Sequence, residues 1–449
     1  MAEIVFNDYI SSPVLLLTLI IGLLIVAFSF LLTRLSACKD GPKGTSSSGE
    51  ETTVDFSQSK NDNRPKNKKK SAPDRRNRDL KALFSHEWLL TSLKGHSGKV
   101  LDMDFSNNGK YLASCADDRS ILLWNLKDFT DKVHRSVRAN VEYDHAKKLC
   151  WSPDSKAFII AQANGNTIEV FKLGKKSDGT MGNIQSALTF PKKHVADLIG
   201  IGIACTGRFI MTASTDTMIT VWDLKGEALA TLDNHQVNTY CAKVSPCGRF
   251  IASSGFTPDV KVWEVIFTKG DDFKEVARAF ELKGHSAAVY SFSFNNDSSR
   301  MATASKDGTW KLWDTKIEYN RGQEPYLMLT ISYPYKSPSH IALSPDGRTV
   351  AVATDSNIIV YSTVTGKEEM SMENVHSDEI QVIAFDMSNK YLVSSGDKQI
   401  RVFHNVVGYR ATIQDLEDKR RKATGQSMKD RIQQQIEEAK ESLKNILHP

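Results

Sequence analysis

Six cysteines, Cys38, Cys115, Cys150, Cys205, Cys241 and Cys247, are scattered through 449 residues. None belongs to a Cys-x-x-Cys pair, and none has a histidine at metal-ligand spacing. This argues against a zinc framework and a disulfide scaffold, and it fits a reducing compartment. The motifs of common chemistries are missing as well. There is no GxxxxGK[ST] phosphate loop, no GxSxG nucleophile elbow and no HExxH zinc helix. No catalytic residue, metal ligand or cofactor is therefore expected. Net charge is only +5, too small by itself to argue for nucleic acid.

Long hydrophobic runs are absent with one exception. Residues 14–32, "VLLLTLIIGLLIVAFSFLL", contain no charge. Nineteen residues at helical rise span about 28 Å, close to the hydrocarbon thickness of a bilayer. A cleaved signal peptide would start positive and be shorter, whereas Glu3 and Asp8 precede this run. The expectation is a retained transmembrane helix at 13–33 with a lumenal stretch at 1–12. Arg34, Lys39 and Lys43 follow the run and no Lys or Arg precedes it, which places the remainder in the cytosol. Cys38 sits just past the helix, a position open to palmitoylation or to an unmodified thiol.

Residues 34–79 are rich in Ser, Gly, Asn, Pro and Lys and carry few apolar groups. Such a segment cannot offset its ordering entropy, so a flexible basic tether is expected. From Lys60 to Lys81 the charges are dense, which allows binding to anionic lipid or RNA, or mere solvation. No aromatic residue interleaves with them, so bases would have no stacking platform.

Beyond residue 79 a unit recurs. An apolar residue followed by a Ser/Pro/Asn/Asp/Gly turn appears at Phe105, Trp151, Ile203, Val244, Phe294, Leu343 and Phe385, 41 to 52 residues apart. Each unit closes on an aromatic residue: Trp124, Phe171, Trp222, Trp263, Trp313, Tyr361 and Phe403. A period of that length means a repeat architecture. Histidine precedes the closing Trp by 28 residues in four units, His96, His194, His235 and His285.

The Gly-His of "KGHSG" and "KGHSA" and the Trp-Asp of "VWDL" and "LWDT" resemble the WD40 repeat over about residues 92–406. The resemblance implies an all-β, seven-bladed propeller at 80–407. Three units hold a full His–Ser/Thr–Asp–Trp set: His96, Ser114, Asp118, Trp124; His194, Thr212, Asp216, Trp222; His285, Thr303, Asp307, Trp313. These are expected to be structural tetrads, because sets repeated in separate blades cannot converge on one substrate. The fourth unit has Thr257 where Asp is expected. The seventh is read with Val393 and Phe403 in place of Ser/Thr and Trp. The second and sixth lack the His, with Tyr143 and Tyr333 nearby, and are expected to be the weakest blades. Residues 86–93, "HEWLLTSL", should close the ring beside the last blade. The residues before the turn aspartates, Asp117, Thr215, Lys306 and Gly396, are the candidate partner contacts on the top face.

Residues 408–449 change period. Ile432, Ile436, Ala439, Leu443 and Ile446 make one helical face, and Ser427 with Asp430 resembles a capping start, so one short C-terminal helix is expected. Docking on the propeller, on a partner, or as a dimer remain open. The whole layout resembles a membrane-anchored member of the WD40 family. That resemblance implies a non-enzymatic adaptor on the cytosolic face of the endoplasmic reticulum, in unfolded-protein-response signalling with the stress-sensing kinase PERK, and with RNA or translation components. The alternatives are a guanine-nucleotide exchange factor of the Sec12-like type, which carries its anchor after the propeller, and a ubiquitin-ligase substrate receptor.

Overall fold

The computed structural model describes residues 84–175, 181–334 and 337–447. The expected membrane segment and tether lie outside the described residues. Among the described residues no helix is long and apolar enough to cross a membrane.

Seven four-stranded antiparallel sheets follow one another along the chain. Blades 1 to 6 occupy residues 100–140, 146–189, 198–233, 239–283, 289–332 and 339–372. Blade 7 joins residues 382–404 to the early strand Leu89–Lys94, with Leu89 opposite Phe403 and Lys94 opposite Gln399. The closing strand is thus the one read from sequence.

The recurring turn joins the first two strands of every blade. The residue after each apolar marker donates its N–H to a carbonyl five positions on. The pairs are Ser106–Tyr111, Ser152–Ala157, Ala204–Phe209, Ser245–Phe250, Asn295–Arg300, Ser344–Thr349 and Asp386–Tyr391, at 2.8–3.1 Å. Three residues into each turn the backbone is left-handed, with φ between 56° and 71° at Gly109, Ser155, Gly207, Gly248, Ser298, Gly347 and Asn389. Glycine tolerates that conformation freely, and the other three use their side chains. Ser155 Oγ accepts from Asn108 N at 3.2 Å, Ser298 Oγ from Cys247 N at 3.0 Å, and Asn389 Nδ2 donates to Asp346 Oδ2 at 2.9 Å. Each of these bonds ties a turn to its neighbour in the next blade.

The apolar cores lie between blades rather than within them. Leu123 and Ala113 of blade 1 pack with Trp151 and Phe158 of blade 2. Equivalent clusters fill the other interfaces, and the last joins Val402 and Ile400 of blade 7 to Val100 and Trp124 of blade 1, with Leu93 of the closing strand.

The C-terminal segment is two helices, not one: α1 (Val406–Lys422) and α2 (Gln426–Leu447). The apolar residues of α1 that are buried, Val406, Val407, Ala411 and Ile413, lie in its first two turns, and the rest is a charged run. That is why its periodicity is faint in the sequence. Asn405 caps α1, its side chain accepting from Gly408 N at 3.0 Å. Val406 and Val407 enter the core between blades 6 and 7, and Arg348 of blade 6 reaches Asp415 at 2.9 Å. The expected face of α2 is the one used: Ile432 and Ile436 pack on Ile413, and Leu443 and Ile446 reach the propeller core. Docking on the propeller is therefore its arrangement. The helix starts at Gln426, whose amide donates to Asp430 Oδ1 at 2.9 Å.

The turns make a paired prediction. A Cβ at Gly109 meets nothing within 4 Å, so Gly109→Ala should cost only the left-handed backbone, about 1–2 kcal/mol. At Gly248 the Cβ would stand 2.9 Å from Cys205 Sγ and 3.1 Å from its N, so Gly248→Ala should cost clearly more. Urea unfolding of the two variants checks the order.

Candidate functional site

In three blades His, Ser/Thr, Asp and Trp come together, and donor chemistry orders each set as a relay. In blade 5, Trp313 Nε1 donates to Thr303 Oγ1 at 3.0 Å. The Thr303 hydroxyl is then free to donate to His285 Nε2 at 2.8 Å, which leaves the Nδ1 proton for Asp307 Oδ2 at 2.8 Å. Asp307 also accepts from Thr309 Oγ1 at 2.6 Å and Ser286 N at 3.1 Å. Blade 1 repeats the inner half, with Trp124 on Ser114 at 2.9 Å and Ser114 on His96 at 2.8 Å. There Ser120 stands between His96 Nδ1 (2.9 Å) and Asp118 (2.5 Å). In blade 3, Ser214 takes the same place between His194 (2.9 Å) and Asp216 (2.5 Å), and Asp216 itself is exposed.

Burial pushes His96, His194 and His285 below the ordinary histidine value, and the nearby aspartates only partly offset it. Burial would raise Asp307, but hydrogen bonds from Thr309, His285 and the Ser286 N–H outweigh it and hold the carboxyl low. Each histidine is therefore neutral in the fold. As pH falls below 6.5 the unfolded chain binds protons first, and stability is lost.

Blade 7 corrects the sequence reading. His376 is a tetrad histidine: its Nε2 lies 2.8 Å from Ser394 Oγ, not beside Val393. Arg401 Nη1 lies 2.7 Å from His376 Nδ1, and Asp397 stands 3.3 Å from both. The turn is one residue shorter than elsewhere, since Ser97 and Ser286 bond an aspartate 21 residues on and Ser377 one 20 residues on. The signal was present, because every working His–Ser/Thr pair is 18 residues apart.

Blade 4 corrects it in the other direction. His235 has the 28-residue spacing to Trp263, yet it is exposed, with φ 51°, and pairs with Asp233 at 3.2 Å. Gln236 takes the buried place instead, donating to the carbonyls of Ser253 (3.1 Å) and Asp259 (3.2 Å). Ser253 Oγ, the hydroxyl that a histidine would have met, is buried without a partner.

Of the four candidate contacts, Asp117 and Lys306 are exposed on the top face. Thr215 is half-buried, and its carbonyl accepts Thr239 N of blade 4 at 3.3 Å. Gly396 is not a contact. It is buried in the shortened turn, where a Cβ would meet the carbonyls of Glu379 and Asp378 at 2.9 and 3.0 Å.

The central channel holds two cavities of about 350 and 530 Å³. Its charged residues bind the ring to itself. Asp102 and Asp104 of blade 1 accept the backbone N–H of Leu149 (2.9 Å) and Trp151 (2.8 Å) of blade 2. Burial pushes Asp104 up to about 7 and His340 down to about 4. Among the described residues, no group of three His, Cys, Asp or Glu could hold a metal ion.

The feature that sequence reasoning missed is an apolar rim on the top face. Tyr143, Val195, Val237 and Phe256 are 93%, 89%, 75% and 58% exposed. All four lie in loops at one end of blades 2 to 4, and hydrogen bonds hold those loops in order. Asn166 of blade 2 donates to Val195 O at 3.2 Å, Thr239 of blade 4 to Thr215 O of blade 3, and Phe256 N to Asn238 O at 2.9 Å. Tyr143 and Val237 have left-handed backbones, φ 62° and 66°, which is costly for a β-branched valine. Exposed apolar side chains gathered at one end of neighbouring blades suit docking of a partner. The clue in sequence is Val195, which stands right after the blade histidine where Ser97 and Ser286 stand in blades 1 and 5.

Two stability predictions follow from this geometry. Asp307→Ala removes a direct histidine partner and should cost on the order of 1–3 kcal/mol. Asp216→Ala, exposed and reaching His194 only through Ser214, should cost well under 1 kcal/mol. Equal losses in thermal unfolding would contradict the relay. For Asp104 the folded pKa lies above the unfolded one, so its contribution is full below about 4 and fades as pH rises through 7. Asp104→Asn should gain on the natural chain steadily between pH 4 and 8 in denaturant titrations.

The family model for the WD domain, G-beta repeat, matches residues 87–125, 226–264, 277–314 and 368–404. Transducin beta-like protein 2 of Homo sapiens is 52% identical over 366 residues, 81% of this chain and 82% of that protein. Its counterpart in Mus musculus is 49% identical over 383 residues, 85% of this chain and 87% of that protein. Pre-mRNA-processing factor 19 homolog 2 of Arabidopsis thaliana is 25% identical over 283 residues, 60% of this chain and 49% of that protein. With about half its residues shared across more than four fifths of its length, the chain belongs to the transducin beta-like protein 2 family of WD40-repeat propellers.

Proposed function

We propose that the protein is a non-enzymatic scaffold, tethered to the endoplasmic reticulum membrane through residues 13–33, with the propeller in the cytosol. The observation that carries the scaffold reading is the rim of Tyr143, Val195, Val237 and Phe256. It is apolar, exposed and preformed on a rigid ring, which suits docking of another protein and offers no reacting group. The tetrads are buried inside separate blades, so they hold loops rather than meet a substrate. Asp117 and Lys306 flank the rim with charge and tune which partner docks. The role is in unfolded-protein-response signalling, with the stress-sensing kinase PERK as partner. The tether from Lys60 to Lys81 adds contact with anionic lipid headgroups or RNA. Support for the orientation comes from the positive residues that follow the apolar run.

The test is proximity labelling from the full chain in cells under reticulum stress, with the natural rim and with Val237→Asp plus Phe256→Asp. The rim variant should keep its thermal stability and lose a set of neighbours that includes PERK. Identical neighbour sets would sink the rim as a docking site. Orientation is read from Asn296, which lies exposed in the Asn-Asp-Ser sequon of a blade turn. The cytosolic placement expects no glycan there and digestion of the propeller by protease added to sealed microsomes. A glycan with protease protection would place every blade in the lumen and remove cytosolic signalling.

A further inference from the structure

The outer strand of each blade is an edge, with unpaired N–H and C=O groups facing outward. Most of these edges carry formal charge. Arg138 lies in Ser136–Asn140, Asp233 ends Ala228–Asp233, five charged residues stud Phe273–Lys283, and Glu368 and Glu369 open Glu368–Met372. Met181–Thr189 has no charge but presents the polar Asn183, Gln185 and Ser186. The edge of blade 5, Tyr326–Ser332, reads YLMLTIS, with no charge and no proline. Its first three residues are exposed, Tyr326 by 71% and Leu327 and Met328 by 37% each. A ladder irregularity sits at Met328, as it does opposite the closing aromatic of blades 2, 3, 4 and 6. Below it the register is regular, with Leu329 opposite Leu312 and Ser332 opposite Thr309.

A second observation lies one strand inward. Lys311 faces Thr330 across the ladder and is only 7% exposed. Its Nζ donates to Thr330 Oγ1 at 2.9 Å, and among the described residues no carboxylate lies within ion-pair distance of it. Buried ammonium groups are normally paired. The corresponding lysine of blade 4, Lys261, shows the contrast. Its Nζ donates to two carbonyls, Asn234 (2.9 Å) and His235 (3.0 Å), while Glu281 opposite it in the ladder pairs with Arg278 and Lys283. Arg401 in blade 7 has Asp397. Of these three blades, blade 5 gives its buried cation a single hydroxyl acceptor, and that hydroxyl sits on an open edge.

We propose that the edge of blade 5 accepts an extended segment of a partner protein as a fifth strand along Leu329–Ser332. The segment carries an Asp or Glu beside Thr330, within reach of Lys311, and apolar residues that cover Leu327 and Met328. Main-chain hydrogen bonds supply affinity and the buried cation selects for the acid. An uncharged edge admits the strand without like-charge repulsion, and the lysine rejects a basic one. This rests on the scaffold reading in one respect, that the ligand is another protein, and it uses a surface separate from the rim.

The probes are two fluorescein-labelled peptides, TVTETVT and TVTKTVT, titrated with the purified full chain. The glutamate peptide should bind with a Kd below about 1 mM, and the lysine peptide at least about tenfold more weakly. Amide exchange should slow within Leu329–Ser332 on binding. Leu327→Lys, an exposed change on the edge, should abolish binding. Lys311→Gln should abolish the preference between the peptides, whether or not it lowers stability. Val237→Asp on the rim should change nothing here, so a failure of either surface is read separately. Absence of binding by both peptides, equal binding by the two, or a preference that survives Lys311→Gln would each overturn the proposal.

Discussion

The pairing of Leu89–Lys94 with Gln399–His404 brings the beginning of the described chain and the end of the last repeat into one sheet. Every other contact of the ring presupposes it. The blades store their apolar cores in the interfaces between them, so an open ring would leave two half-cores facing water. Closure fills the last interface with Leu93, Val100, Trp124, Ile400 and Val402. It also pins α1, whose Asn405 cap follows directly from the closing blade and whose Val406 and Val407 fill the adjoining core. The helical pair is thus part of the seal on blades 6 and 7.

Inside this ring the His–Ser/Thr–Asp relays hold loops at the top face, but they are not identical parts. Asp307 touches its histidine, Asp118 and Asp216 act through a serine, Asp397 shares its histidine with Arg401, and blade 4 uses Gln236 in place of a histidine. What is common is the outcome: a buried polar group is satisfied and the loop above it is held in place. That rigidity lets the top rim keep apolar side chains in water and a valine in a left-handed conformation. The channel is bound together in the same way, by carboxylates of blade 1 that cap strand N–H groups of blade 2. The scaffold reading follows from this division, with polar groups spent internally and apolar ones left outside on fixed loops.

The repeat, the blade number and the His–Ser/Thr spacings were legible in the sequence because they rest on local spacing, whereas the closing strand, which pairs residues far apart, followed from the resemblance to the WD40 repeat. The turn after each apolar marker needs a left-handed residue at one place, and Gly, Ser or Asn appear there in all seven units. Strand alternation and the α2 face are equally local. The tetrads of blades 1, 3 and 5 follow from a fixed separation of 18 residues across one hairpin.

Tertiary structure alone decided which spacings are used. His235 stands 18 residues before Ser253, as His376 stands before Ser394, yet one points to water and the other into a blade. The difference is a loop that turns Gln236 inward, where its amide donates to carbonyls of two strands of blade 4. Likewise α1 is helical because its first two turns dock in a core built by blades 6 and 7. The rim and the blade 5 edge arise because loops and strands distant in sequence share one face or leave one side uncovered. The sequence by itself determined the repeat and its count, since hairpins are local. The ring decided which side chains point inward, which stay exposed, and hence where a partner can dock.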